Sequence, residues 1–185
     1  MRTDKLEKHI VDTVKEWQMK IGFQEGGMEL YYPKKSLMEA LEVRENLHEA
    51  LHEFKKAVRP RLGKIEISHK GERYCLEVSE KGCRYIAEVI PKPEFLSRFL
   101  EVITKRENTM NEVRECFREY AKEKGTAAVE KNEMVHELGR VFYFENEKIE
   151  EYVYCVEENE FGLTYHRFLR MDKSFILIIF YCLSS

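Results

Sequence analysis

The feature that most constrains this chain is an alternation of period two. It runs through Ile65 and Ile67, breaks at Lys70-Gly71 and resumes through Tyr74, Leu76 and Val78. Alternation places all five side chains on one face of a β-ribbon, and a Gly-containing dipeptide between the runs reads as a tight hairpin turn. With a two-residue loop at Lys70-Gly71, Ile65 is expected opposite Leu76 and Ile67 opposite Tyr74. So apolar a face must be covered, and the flanking segments can cover it. Before the hairpin, Asn46 with Glu49 opens a helix that carries Leu47, Leu51, Phe54 and Val58 on one side and stops at Pro60. After it, Ser79 caps a helix with Gly82 in its first turn and with Ile86 and Val89 facing inward.

Upstream, Asp4 with Glu7 starts a helix bearing Leu6, Ile10, Val14, Trp17 and Ile21, and Gly22 ends it. Met28 to Tyr32 reads as a short strand closed by Pro33, and Ser36 to Glu42 as a short helix. Pro91-Lys92-Pro93 marks a boundary. Beyond it, Phe95, Phe99, Val102 and Ile103 define one amphipathic helix. Thr109 with Glu112 opens another, which carries Met110, Val113, Phe117 and Tyr120 and ends at Gly125. Thr126 to Leu138 is ambiguous, with a helix as the nearest fit. Then the period changes to two over Arg140–Phe144, Glu150–Val156 and Phe161–Leu169. The expected fold class is α+β, with residues 1–90 as one unit and residues 91–185 as helices packed on a small antiparallel meander.

At 185 residues, 43% hydrophobic and 35% charged, the chain has the composition of a globular protein. Its net charge of −3 argues against coating nucleic acid along the whole surface. The charge is uneven, however. Lys55, Lys56, Arg59, Arg61, Lys64, Lys70 and Arg73 face only Glu66 and Glu72 in their window, whereas ten acids crowd Glu130 to Glu160. Those seven basic residues are the expected contact set for a protein or nucleic-acid partner. Five cysteines without CxxC spacing point to reduced thiols and a cytoplasmic setting. Arg2, Asp4, Lys5, Glu7 and Lys8 charge the region where a signal peptide would be apolar.

The order helix, strand, helix, turn, helix, strand, wing, strand, helix in the first half resembles the winged helix-turn-helix superfamily. The segment from Tyr74 to Ile86 is similar to the strand-Ser-x-x-Gly-helix closure found after the wing in bacterial regulators. The resemblance implies a winged-helix-like binding unit. The helix that would enter a DNA groove departs from the pattern, because Glu49 and Glu53 stand where phosphates would lie. Protein interaction suits that surface at least as well. Over the whole chain, Leu30-Tyr31-Tyr32-Pro33 and Tyr165-His166-Arg167-Phe168 resemble an uncharacterised bacterial family of unknown function, which implies no activity and no site residues.

A second motif lies on the same helix. His48-Glu49-Ala50-Leu51-His52 matches HExxH, in which histidines at i and i+4 share a metal and the glutamate serves as base toward the metal-bound water. The alternative reading is therefore a zinc-dependent hydrolase with His48 and His52 as ligands and Glu49 as catalytic base. Lys55 and Val58 stand where an extended HExxHxxGxxH would need Gly and His, so no third ligand follows. The preferred reading is a non-enzymatic binding module without a cofactor. His166 lies in a strand as a structural histidine, and Cys75 and Cys83 lack basic catalytic neighbours. Phe142, Tyr143, Phe144, Tyr152, Tyr154, Phe161, Tyr165 and Phe168 read as mostly sheet core. The run Phe175–Leu183 is too short to span a bilayer and must be covered, either by self-association or, as expected here, by packing on the aromatic meander.

Overall fold

The computed structural model describes residues 3–132, 139–171, 174–175 and 180–182. The chain divides into two compact units, Met1–Lys92 with Ile179–Ser185, and Pro93–Ile178. Both mix helices with antiparallel strands, so the α+β class expected from the sequence holds.

The first unit runs α1 (Asp4–Ile21), β1 (Met28–Pro33), α2 (Lys34–Ala40), α3 (Leu47–Leu62), β2 (Ile65–Lys70), β3 (Arg73–Val78) and α4 (Glu80–Val89). Its sheet has the order β2-β3-β1, and the strand Phe180–Cys182 adds along the free edge of β1. Leu6, Ile10 and Val14 of α1, Leu51, Phe54 and Val58 of α3, and Leu30, Leu76 and Val78 of the sheet form its buried core. The hairpin is present with a different register. Lys70 pairs with Arg73, Ile67 with Leu76 and Ile65 with Val78, so the turn is Gly71-Glu72. Gly71 takes a φ of 64° while Glu72 does not turn positive, the pattern of a type II′ turn, whose twist suits a hairpin. The shift moves each partner by two residues and therefore leaves every side chain on its expected face.

Three helix ends also differ from expectation. Asn46 precedes α3 in a left-handed conformation and makes no side-chain cap, and α3 runs through Pro60 to Leu62. Proline removes one donor from the last turn, and the Gly63 N–H still closes the helix on Arg59 O at 3.0 Å. Thr3 precedes α1 without a side-chain cap, and Glu7 bonds Arg61 instead. Val89 is 57% exposed, whereas Ile86 is fully buried.

The start of α4 is held tightly. Ser79 Oγ accepts from Gly82 N at 3.4 Å. A Cβ at Gly82 would stand 2.4 Å from Leu62 O and 2.9 Å from Val78 Cγ1. The glycine thus permits contact with the end of α3 rather than only with the sheet. From the other side, the buried Lys15 Nζ donates to Ile86 O at 3.2 Å and Ala87 O at 3.1 Å, in the last turn of α4, where Ile86 O also accepts from Ile90 N at 3.3 Å. Burial and Lys92 hold the Lys15 pKa below the usual lysine range.

The second unit comprises α5 (Glu94–Ile103), α6 (Met110–Lys124) and β4 (Ala128–Lys131), β5 (Arg140–Phe144), β6 (Tyr152–Asn159) and β7 (Gly162–Met171). The strand Ser174–Phe175 completes a sheet of consecutive neighbours. Thr109 and Glu112 form the expected capping box, with Thr109 N donating to Glu112 Oε2 at 2.9 Å and Glu112 N to Thr109 Oγ1 at 3.3 Å. Within the segment expected as helix, residues 128–131 are strand; residues 133–138 lie outside the described residues. Phe95 of α5 centres an aromatic lattice, with ring centroids 4.7 Å from Phe117, 4.8 Å from Phe144, 5.0 Å from Tyr120 and 5.3 Å from Tyr154. The opposite face of the same sheet buries Val141, Val153, Cys155 and Phe168. Phe161 is the exception among the meander aromatics: it occupies the β6–β7 turn and is 90% exposed.

The apolar C-terminal run is divided between the sheets. Phe175 pairs with Arg170 of the meander, whereas Phe180–Cys182 pairs with Glu29–Tyr31 of β1 in the first unit. Residues 176–179 and 183 of that run lie outside the described residues.

Two substitutions test this packing. Gly82→Ala should lower unfolding free energy by about 1–3 kcal/mol, because the added methyl meets a backbone carbonyl that cannot swing aside. Phe95→Ala should cost about 3–5 kcal/mol by emptying the centre of the aromatic lattice. Urea titrations followed by circular dichroism would measure both, and an unchanged midpoint would refute the corresponding contact.

Candidate functional site

On α3, His48, Leu51, His52 and Lys55 fall at i, i+3, i+4 and i+7 and so share one side of the helix. The hairpin brings Ile67, Ser68 and His69 of β2 and Tyr74 of β3 against that side. Together the eight residues line a pocket of about 320 Å3. Leu51 is buried, Lys55, Ile67 and Tyr74 are half-buried, and the three histidines are exposed. His69 and Tyr74 are cross-strand partners whose rings meet edge to face at 4.8 Å and 83°. Among the described residues, no carboxylate lines the pocket.

The HExxH residues are split by this geometry. His48 and His52 line the pocket, and a third imidazole, His69, lines it with them, whereas Glu49 does not. Among the described residues, no three side chains of His, Cys, Asp or Glu are grouped so as to hold a metal ion. His69 was missed by the sequence reading although its signal was present: the inward alternation Ile65-x-Ile67 continues to it.

The seven basic residues have unequal surroundings. Lys55 lines the pocket, and Arg59 is exposed on α3. Lys56 pairs with Glu53 at 2.8 Å, and Lys64 pairs with Glu66. Arg61 donates to both carboxylate oxygens of Glu7 at 2.5 and 2.6 Å. Lys70 Nζ donates to Glu29 Oε2 at 3.1 Å and to Tyr31 Oη at 3.0 Å, while the Tyr31 hydroxyl itself donates to Glu29. The bonds to Tyr31 and Glu29 raise the Lys70 pKa, and those from Tyr31 and Lys70 lower that of Glu29. Arg73 is exposed at the hairpin end, paired across the turn with Lys70. Glu7, Glu29 and Glu53 all lie outside the sequence window in which the basic excess was counted, so much of that excess is neutralised by acids arriving from α1, β1 and the preceding turn of α3.

A domain of unknown function, DUF3877, whose description refers to E. rectale, matches residues 3–176. The chain belongs to this family. The motifs at Leu30–Pro33 and Tyr165–Phe168 both lie within the DUF3877 match. Comparison with curated proteins and with solved structures returned no match. Among the described residues, no helix of this DUF3877 chain is long and apolar enough to cross a membrane.

Four cysteines of the DUF3877 chain, those whose side chains are described, are poor candidates for nucleophiles. Cys75, Cys83, Cys116 and Cys155 are buried and free. Burial pushes the thiols of Cys83, Cys116 and Cys155 up to about 11 and also raises that of Cys75. At pH 8, a thiol with a pKa near 11 is ionised in roughly one molecule per thousand, and the thiolate is the reactive form. In a Cys182→Ser variant, Ellman's reagent should therefore modify no thiol within minutes at pH 8 until denaturant is added; rapid modification of native protein would contradict this burial.

Proposed function

We propose that this chain is a non-enzymatic binding module that takes a protein partner where α3 meets the β2–β3 hairpin, within a winged-helix-like unit spanning residues 1–90. The observation that carries this reading is the pocket itself: one face of α3 and the hairpin converge on a concave, carboxylate-free site. The winged-helix likeness is supported by the element order α1-β1-α2-α3-β2-β3-α4 and by antiparallel pairing of the two hairpin strands. A protein partner is favoured over nucleic acid by charge. Glu49 and Glu53 are exposed along α3, and Lys56, Arg61, Lys64 and Lys70 already hold carboxylates. Phosphate contacts from those four would have to break an existing pair first. Four buried cysteines without a disulfide among them support a reducing, cytoplasmic setting.

Selection of a displayed random peptide library on the full chain tests the reading. It should enrich one class of sequence, whose binding falls at least tenfold in a His52→Ala/Lys55→Ala variant that remains folded. Two results would overturn it. One is saturable binding of duplex DNA that weakens steeply with salt, the mark of phosphate contacts. The other is stoichiometric zinc in untagged protein that disappears with His48→Ala/His52→Ala, which would restore the hydrolase alternative with Glu49 as base.

A further inference from the structure

We infer that the α3–hairpin pocket binds an anionic group carried on an apolar body, a carboxylate or a phosphate monoester. This rests on the pocket being the recognition site and adds the chemistry that it recognises. The lining is rich in donors. Lys55 contributes an ammonium, Tyr74 contributes a hydroxyl, and His48, His52 and His69 each offer at least one ring N–H whatever their protonation state; the Ser68 side chain lies with Cys75 on the opposite face of the hairpin. None of these groups is an obligate acceptor, because no carboxylate lines the site. A cation entering it would therefore find no countercharge. A neutral ligand would bury the face of Lys55 without answering its charge. An anion satisfies the whole set, and hydrogen bonds from an ammonium to an oxyanion are shorter and stronger than neutral ones.

Charges around the rim do not cancel this preference. Glu53, on which His52 also acts, is held by Lys56, and Glu66 by Lys64; Glu29, with Tyr31 and Lys70, lies on the opposite face of the sheet. Lys55 also acts on Glu66 electrostatically, lowering its pKa, but the bonded partner of Glu66 is Lys64. Glu49 is exposed on α3 and outside the lining, where solvent and salt screen it. Leu51, Ile67 and the Tyr74 ring supply the apolar portion. A volume of about 320 Å3 lies at the small end of ligand sites, which suits one aryl or branched aliphatic group with its anionic head. The Tyr74–His69 edge-to-face contact holds one imidazole in place at the hairpin end of the site.

The same anionic chemistry can be presented by a free small molecule or by an acidic peptide side chain. The probes are benzoate, phenyl phosphate, neutral benzamide and the capped dipeptide acetyl-Phe-Glu-amide, each titrated into the full chain while the histidine ring resonances are followed by NMR. Benzoate and phenyl phosphate should shift His48, His52 and His69 saturably, with dissociation constants on the order of a millimolar or tighter for ligands of this size. Benzamide should bind at least tenfold more weakly. Lys55→Met, which keeps the length of the side chain and removes its charge, should weaken the anions at least tenfold with an unchanged melting temperature. Tighter binding of the dipeptide than of benzoate would assign the anion to a peptide; the reverse would assign it to a small molecule, and either result supports the inference. Benzamide binding as tightly as benzoate, anion affinity unchanged in Lys55→Met, or no saturable shift from any probe at 10 mM would overturn it. Peptide selection that still enriches a sequence at this surface after such a failure would leave the binding module standing and remove only the anion from it.

Discussion

The first unit depends on one close approach, that of Gly82 at the start of α4 to the carbonyl of Leu62 at the end of α3. A side chain there would come within 2.4 Å of a backbone oxygen, so the two helices meet only because residue 82 has no Cβ. The hairpin leaves the chain at Leu62 and returns at Ser79, so this contact holds both of its ends together. Ser79 secures the same point by accepting from Gly82 N. Lys15 and Gln18 of α1 bind the carbonyls of Cys83, Ile86 and Ala87 along α4, fixing that helix from its other side. The hairpin is thereby laid along α3, and the pocket is the space between them. A site assembled this way comes from two rigid elements rather than from loops, which favours a defined geometry for its side chains.

Electrostatics separate the pocket from the surface around it. Outside, basic side chains are matched one by one: Arg61 with Glu7, Lys70 with Glu29, Lys56 with Glu53, Lys64 with Glu66. Exposed pairs of this kind contribute little to stability. Their consequence here is that they occupy cations which would otherwise form a phosphate-binding stripe. Lys55 differs because its polar neighbours in the pocket are imidazoles and the Tyr74 hydroxyl.

The second unit is organised by aromatic packing. Phe95, Phe99, Phe117, Phe142, Phe144 and Tyr154 meet mostly edge to face or tilted, geometries in which the positive edge of one ring approaches the negative face of another. Large rigid rings fill space with few rotatable bonds, so a unit with two described helices and a narrow sheet can still bury a continuous core. The sheet is apolar on both faces, with Val141, Val153, Cys155 and Phe168 turned away from this lattice. That explains why β6 alternates weakly in its sequence: Tyr152 through Val156 are all buried, so no polar face was needed there.

What the sequence by itself determined is the set of elements and the faces they bury. The period-two run through Ile65, Ile67, Tyr74, Leu76 and Val78, the Ser79 cap and the Thr109–Glu112 box are local signals, each set by interactions between residues close in the chain. The hairpin register was misread by two residues because Lys70-Gly71 and Gly71-Glu72 both offer a glycine to the turn. The faces survived because a shift of two preserves side-chain parity. Tertiary structure alone decided which distant residues met. Glu7 and Glu29 neutralise Arg61 and Lys70 across 54 and 41 positions of sequence. The C-terminal run, whose apolar character demanded cover, divides between two sheets because an unpaired strand edge offers backbone hydrogen bonds to any extended segment that reaches it. His69 joins His48 and His52 because the contact between Gly82 and Leu62 folds the hairpin back over α3. Local periodicity cannot encode that closure, which depends on the shape of two helices and a single missing methyl.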